Sequence, residues 1–70
     1  MPSIYRQFDA QGNLLYIGMA QSLAERMRGH EGQSPWFKLV TRIDVEHFDD
    51  LTLAKRAEAA AIASEAPLFN

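Results

Sequence analysis

The hydrophobic pattern of the first 20 residues predicts a β-hairpin. Residues 3–8 and 14–18 are short runs rich in β-branched and aromatic side chains. Residues 9–12 between them have the chemistry of a turn, with an aspartate at the start and a glycine at the end. The two runs are therefore expected to be antiparallel neighbours in a sheet.

The length of the predicted turn sets the register of the hairpin. A loop of four residues (9–12) places Phe8 opposite Asn13, and counting back along the ladder sets Tyr5 opposite Tyr16. Because side chains alternate between the two faces of a strand, both phenols share one face. The other face is expected to bury the apolar side chains of the hairpin, namely Ile4, Phe8, Leu15 and Ile17.

A first helix is predicted over residues 23–28. Ser22 and Glu25 have the spacing of a capping box, in which each side chain satisfies a backbone amide at the start of a helix. Spacings of three and four residues place on one stripe Leu23, Arg26, Met27 and His30. Polar groups therefore lie on or beside the inward face of this helix.

The middle of the chain predicts a turn followed by a third strand. Residues 33–38 contain Pro35 and are expected to form a turn or short helix, with Trp36 and Phe37 filling core space. From Leu39 to Val45, apolar and polar positions alternate. This alternation predicts a strand with one wetter face.

A final, alanine-rich helix is predicted over residues 51–65, capped by Asp49 or Asp50 and ended before Pro67. At 100° per residue, one side of this helix contains Leu51, Ala54, Glu58, Ala61, Ile62 and Glu65. Glu58 lies in the middle of this apolar stripe. Its carboxylate needs a cation, a hydrogen-bond donor or a metal, because isolated burial of a charge is expensive.

These elements predict an α+β fold: a three-stranded antiparallel sheet, made of the N-terminal hairpin and the third strand, flanked by helices. With 70 residues, the chain is expected to be a single domain, residues 1–70. The absence of cysteine excludes disulfides, cysteine-based metal sites and thiol nucleophiles, and favours a cytoplasmic setting. No stretch resembles a signal peptide or a membrane span, so no membrane partner is expected.

The formal net charge of −2 lacks the basic excess of a protein that binds nucleic acid by charge alone. The charge is unevenly distributed. Residues 1–42 carry five basic and three acidic side chains, whereas residues 43–70 carry two basic and six acidic ones. A phosphate-binding surface is therefore expected on the first part of the chain.

Taken singly, the candidate functional residues have ordinary structural interpretations. Strand tyrosines usually pack, an arginine beside a histidine is usually a solvated helix edge, and Glu58 also suits an ordinary salt bridge. The serines have no histidine–carboxylate pair at a suggestive spacing, which argues against a hydrolase triad. His30 and His47 alone do not make a zinc site, and His47, at a strand end, is expected to be exposed.

The order of these residues is more specific than any one of them. Ser3-Ile4-Tyr5 is followed, after ten residues, by Tyr16-Ile17-Gly18. Later positions that fit the same order are Arg26, His30, Glu58, Ile62, Pro67 and Asn70. This ordered set resembles the GIY-YIG nuclease family over nearly the whole chain.

The resemblance implies divalent-metal-dependent hydrolysis of a nucleic-acid phosphodiester, in DNA rather than RNA. By position it assigns catalytic roles to Tyr5, Tyr16, Arg26, His30 and Glu58. It also implies substrate contacts at Gly18, Arg28 and Asn70.

Each implied role fits the chemistry of its side chain. Glu58 would hold one Mg²⁺ or Mn²⁺, hard cations that prefer oxygen ligands, and Arg26 would clamp the phosphate with its planar fork. Tyr5 would assist deprotonation of the attacking water, for which a phenol with an ordinary pKa of about 10 needs nearby positive charge. Tyr16 and His30 would relay protons or position the base.

The chain departs from the family pattern at Ser3, where glycine is expected. Since this position has no expected chemical role, the change bears on how well the backbone matches the family fold more than on the activity. Only 27 residues separate His30 from Glu58, and Asn70 ends the chain. Target choice is therefore expected to come from a separate DNA-binding domain or subunit, with a homodimer as an open alternative. Two other interpretations stay open: a module of the same fold that binds nucleic acid or protein without cleavage, and a purely structural α+β miniprotein.

Overall fold

A computed structural model of the chain describes residues 1–21 and 35–70. Over these residues the chain forms a three-stranded antiparallel sheet and one α-helix, which confirms the α+β prediction. The elements are β1 (Ser3–Phe8), β2 (Leu14–Ala20), a 3₁₀ turn (Phe37–Leu39), β3 (Arg42–His47) and α1 (Leu51–Glu65). The helix predicted over residues 23–28 lies outside the described residues.

The strand order is β2-β1-β3, so the first strand lies at the centre of the sheet. β1 pairs antiparallel with both neighbours, and Tyr5 lies between Gly18 on β2 and Val45 on β3. All six residues of β3 are exposed, because this strand is at the edge of the sheet. Its two faces still differ as predicted: Ile43 and Val45 are each 37% exposed, whereas the side chains of Arg42, Asp44 and Glu46 are 53–59% exposed.

The hairpin forms as predicted, but its predicted register was wrong. Phe8 pairs with Leu14 rather than with Asn13, and the ladder shifts at a bulge between Gln7 and Phe8. The cause is the side chain of Asp9, whose Oδ1 accepts hydrogen bonds from the backbone of Gln11 and Asn13, both at 2.9 Å. These bonds lengthen the connection by one residue. Gly12 lies in it at a φ of 82°, a conformation that glycine adopts without strain.

The corrected register places Tyr5 opposite Gly18 and Tyr16 opposite Gln7. It differs from the predicted register by two residues, and a shift of two preserves the alternation of faces. The prediction that both phenols share one face is therefore confirmed, whereas their direct opposition was wrong.

The third strand begins later than the sequence predicts. Residues 37–39 form the 3₁₀ turn, in which the Leu39 amide donates to the Trp36 carbonyl at 2.9 Å. The ladder with β1 then starts at Thr41, whose amide donates to the Phe8 carbonyl at 2.8 Å. β3 therefore covers 42–47 instead of 39–45, and a short helix does form in this part of the chain, as predicted.

Helix α1 matches its predicted bounds. The Asp50 side chain caps it by accepting a hydrogen bond from the Leu53 amide at 2.8 Å, in the ordinary manner of an N-cap aspartate. At its other end Ala66 adopts a left-handed conformation, with a φ of 49°, before the buried Pro67. None of the helices in the described ranges is long and apolar enough to cross a membrane.

The core lies between the sheet and α1. Ile4, Leu15 and Ile17 are almost completely buried, and each contributes about 1.5–3 kcal/mol relative to an exposed side chain. The helix presents only small buried side chains to the sheet, Ala54 and Ala61. Since alanine adds little bulk, the helix approaches closely, and it packs chiefly against β2.

Candidate active site

The Tyr5 side chain crosses from the central strand to the edge strand β2. It is completely buried, and its hydroxyl and ring lie where a Cβ atom on Gly18 would stand. The Tyr16 ring is also close, 2.8 Å from that position. Gly18 is therefore required at this point by the packing of the two tyrosines. The substrate contact predicted for Gly18 stays a prediction.

The two tyrosines belong to a larger aromatic cluster. The ring centroids of Tyr5 and Tyr16 are 6.1 Å apart, and the Tyr16 ring stacks on Trp36 at 4.9 Å. The Trp36 ring also stacks on Phe69, at 5.1 Å with the planes 14° apart. We call Tyr16, Trp36 and Phe69 the aromatic column. It is built from β2, the turn before β3 and the residues that follow α1.

Sequence reasoning missed two of the three rings of this column. Trp36 was expected to fill core space but is only half-buried, and Phe69 was assigned no role. Gln7 was also missed: it is completely buried, and its Oε1 accepts a hydrogen bond from Trp36 Nε1 at 2.8 Å. The available signal was that Gln7 lies two residues after Tyr5 and so shares its face of β1. The partners are too far apart in sequence for local spacing to reveal them.

Glu58 lies on α1, one turn from Ala54 and one turn from Ala61, and its side chain is half-buried. Within the described ranges its carboxylate has no hydrogen bond or ion pair. The same ranges contain no group of three or more histidine, cysteine, aspartate or glutamate side chains that could hold a metal. A single carboxylate fits Mg²⁺ or Mn²⁺ bound mainly through water and substrate phosphate, but not a site closed by protein ligands alone.

Asn70 holds the outer edge of β2. Its Oδ1 accepts from the Ile17 amide at 2.6 Å, and its Nδ2 donates to the Ile17 carbonyl at 2.9 Å. The two preceding amides, of Leu68 and Phe69, donate to the Leu14 and Leu15 carbonyls. The side chain amide of Asn70 thus continues a ladder that the backbone begins, next to Tyr16. The substrate contact predicted for Asn70 is not tested by these bonds.

Ser3, which stands at the first motif position, pairs with His47. Ser3 Oγ and His47 Nδ1 are 2.7 Å apart, and the two residues are direct neighbours on β1 and β3. Sequence reasoning saw no such serine–histidine pair. His47 is exposed, as predicted, and among the described residues no carboxylate hydrogen-bonds to it. The arrangement is therefore a cross-strand contact rather than a triad.

Arg6 joins the sheet to α1 on the face opposite the tyrosines. Its Nε and Nη2 donate to the two carboxylate oxygens of Glu65 at 2.9 and 2.8 Å, and its Nη1 lies 3.6 Å from Glu46. These hydrogen bonds lower the pKa of Glu65 and raise the pKa of Arg6. Glu65 was placed on the inward stripe of the helix by its spacing, but the arginine that pairs with it was not foreseen.

The structure thus brings Tyr5, Tyr16 and Gly18 together at β2, with Asn70 beside them. Glu58 lies on α1, the helix that packs chiefly against this strand. The predicted site residues Arg26, Arg28 and His30 lie outside the described residues, and their placement stays a prediction.

The sequence is similar to UvrABC system protein C. The protein of that name from Neisseria gonorrhoeae is 37% identical over 68 residues, which cover 93% of this chain and 10% of that protein. The one from Bartonella quintana is 31% identical over 69 residues, 99% of this chain and again 10% of the relative. The chain therefore spans about a tenth of the length of these relatives. No family model matches the sequence.

Proposed function

We propose that this chain is a GIY-YIG-type endonuclease domain that hydrolyses DNA with the help of a divalent metal. The proposal is carried by one observation: Tyr5 and Tyr16 meet over Gly18, so the two halves of the motif form one cluster on the edge strand. The similarity of nearly the whole chain to UvrABC system protein C supports a nuclease-related, DNA-processing domain.

Glu58 is the residue that would hold Mg²⁺ or Mn²⁺. Its half-buried carboxylate without a protein partner in the described ranges, on the helix that packs against β2, supports this role. When bound, the ion would stabilise negative charge on the phosphate and favour ionisation of a water molecule. Since most of its ligands would be water and phosphate oxygens, binding is expected to depend on substrate.

The remaining roles fall to the tyrosines and to the predicted first helix. The Tyr5 hydroxyl, positioned over Gly18, would accept a proton from the attacking water, with Tyr16 fixing its ring. Arg26 would clamp the phosphate and supply the positive charge that a phenolate needs, and His30 would relay the proton. Arg28 and Asn70 would contact substrate beside them. The order of these residues in the sequence supports their assignment.

Partners and setting complete the proposal. Because the chain spans a tenth of its relatives, a separate DNA-binding domain or subunit is expected to choose the target. A homodimer is the alternative source of a second DNA-binding surface. The cysteine-free composition supports a cytoplasmic location.

One observation favours a second function, a domain that binds nucleic acid or protein without cleaving it. The Tyr5 side chain has no exposed surface, although a general base must meet the attacking water. Under this alternative, the tyrosine cluster serves packing alone. The two functions differ in whether cleavage exists at all.

Substitution of Glu58 tests the nuclease proposal. Glu58→Gln keeps the shape of the side chain and removes its charge, so cleavage of a linear, nicked or branched DNA with Mn²⁺ should fall by at least a hundredfold. Titration calorimetry of Mn²⁺ in the presence of a non-cleavable DNA should show weaker binding in the same variant. Circular dichroism checks that the variant is folded.

The matched control is Glu65→Gln, the same change on the same stripe of α1, seven residues away. Glu65 pairs with Arg6, so its loss should leave cleavage within about twofold of the unchanged protein. Equal activity of the Glu58 variant and this control would refute the metal assignment. Absence of cleavage by the unchanged chain on every DNA, with binding retained, would favour the non-catalytic alternative.

A further inference from the structure

We propose that the exposed end of the aromatic column is a stacking site for an unpaired nucleobase, and that the preferred substrate therefore contains single-stranded DNA. This inference rests on the proposed function, since it names the substrate class of the same site. It concerns Phe69, the outer ring of the column.

The geometry of the column is that of a base stack. Trp36 contacts Tyr16 and Phe69 with ring centroids 4.9 and 5.1 Å apart and planes tilted by 26° and 14°. In proteins that bind single-stranded nucleic acid, bases stack on aromatic side chains in the same face-to-face manner. A base stacked on Phe69 would extend the same column.

The outer ring is available to a ligand. Phe69 is 42% exposed although it contacts Trp36. Through Trp36 its ring is joined to Tyr16 of the candidate site. A base stacked there would therefore lie next to the proposed catalytic residues.

The position of Phe69 is fixed by its backbone rather than by its ring. Its amide donates to the Leu15 carbonyl at 2.8 Å, and Asn70 follows with two hydrogen bonds to Ile17. The backbone that carries the ring is thus already ordered, which lowers the entropic cost of binding. Lys38, two residues after Trp36 in the sequence, is exposed, and its positive charge would attract the phosphates of a DNA strand.

Single-stranded DNA suits this surface better than duplex DNA. In a duplex both faces of an internal base are covered by neighbouring base pairs, so a protein ring gains access only to an end or to an unpaired base. Stacking accepts any of the four bases, since every base has a π-face. The site therefore selects for an unpaired segment rather than for a sequence.

The test compares two DNA strands in the absence of metal. A labelled thymidine 12-mer and an abasic 12-mer with the same phosphates are titrated with the full chain in EDTA and followed by fluorescence polarisation. The unchanged protein should bind the thymidine strand about tenfold more tightly, the size expected for one base–aromatic stack. Phe69→Ala should lose this preference, and Phe69→Trp should keep it.

Leu68→Ala is the matched control, because it removes a neighbouring, more exposed apolar side chain and should leave the preference within twofold. Emission from Trp36, the single tryptophan, reports whether the column is intact in each variant. Equal binding of both strands by the unchanged protein, or an unchanged preference in Phe69→Ala, overturns the proposal. A stronger Phe69-dependent preference for a uridine RNA strand overturns the assignment to DNA.

The outcome is independent of the nuclease test. Loss of cleavage in Glu58→Gln together with no strand preference would leave the proposed function intact and refute the stacking site. A Phe69-dependent preference with no cleavage of any DNA would refute the nuclease and leave a single-strand-binding domain.

Discussion

At the scale of single residues, the site is organised by the absence of one side chain. Tyr5 reaches across β2 only because Gly18 has no Cβ, and the same gap lets Tyr16 approach. Packing of the two tyrosines thus requires a glycine at this position of the second motif, independently of any contact with substrate. Its neighbour Ile17 is buried on the other face, so the strand packs on both sides at this point.

The Gly18→Ala variant tests this explanation. The added methyl group overlaps the hydroxyl and ring of Tyr5, and overpacking of this kind costs about 1–3 kcal/mol. The free energy of unfolding, measured with urea, should fall by this amount. In a Tyr5→Phe background the penalty should be smaller, because the hydroxyl part of the overlap is gone. An equal penalty in both backgrounds would show that the hydroxyl is not the obstacle.

At the scale of elements, the sequence predicts the strands and the last helix well because each signal is local. The alternation of β1, the cap of α1 and the proline after it determine those elements within a few residues. The register of the hairpin was wrong by two: the Asp9 side chain bonds to two backbone amides and lengthens the turn by one residue, and the bulge between Gln7 and Phe8 adds the second. The prediction of which side chains share a face was still correct, since a register shift of two residues preserves the alternation of faces.

The candidate site was likewise predictable only where its residues are close in sequence. The tyrosine pair was predictable because both residues lie on one hairpin. The aromatic column was not, because its rings come from positions 16, 36 and 69, which are brought together only by tertiary packing. The edge role of Asn70 was missed for the same reason: it pairs with Ile17, 53 residues away.

The Asn70→Asp variant tests how the edge of β2 is held. The carboxylate keeps an acceptor for the Ile17 amide but places a second acceptor against the Ile17 carbonyl, where the amide group of Asn70 donates. Loss of that donor should lower the free energy of unfolding by about 1–3 kcal/mol at neutral pH. Hydrogen exchange of the Ile17 amide reports the edge directly. Unchanged protection there would show that Asn70 does not hold the strand.

At the scale of the whole molecule, an ion pair helps to join the C-terminal helix to the N-terminal hairpin. The helix presents alanines to the sheet, so little apolar surface holds it, and the paired hydrogen bonds from Arg6 to Glu65 tie β1 to the last turn of α1. Glu58 lies on the same stripe, two turns before Glu65. The Arg6–Glu65 pair therefore adds to the stability of the packed helix.

This link predicts a pH-dependent stability. The pKa of Glu65 is lowered below its ordinary 4.5 by the hydrogen bond from Arg6, so the stabilisation is complete above that value and is lost as the pH falls through the lower folded pKa. Glu65→Gln should cost up to about 1 kcal/mol at pH 7, since the pair is partly exposed, and the difference should vanish in acid. Urea unfolding of both proteins at several pH values measures it. Asp44→Asn, which breaks the more exposed pair with Arg42, is the control and should change little. A cost that persists unchanged in acid would mean that Glu65 stabilises the helix without its charge.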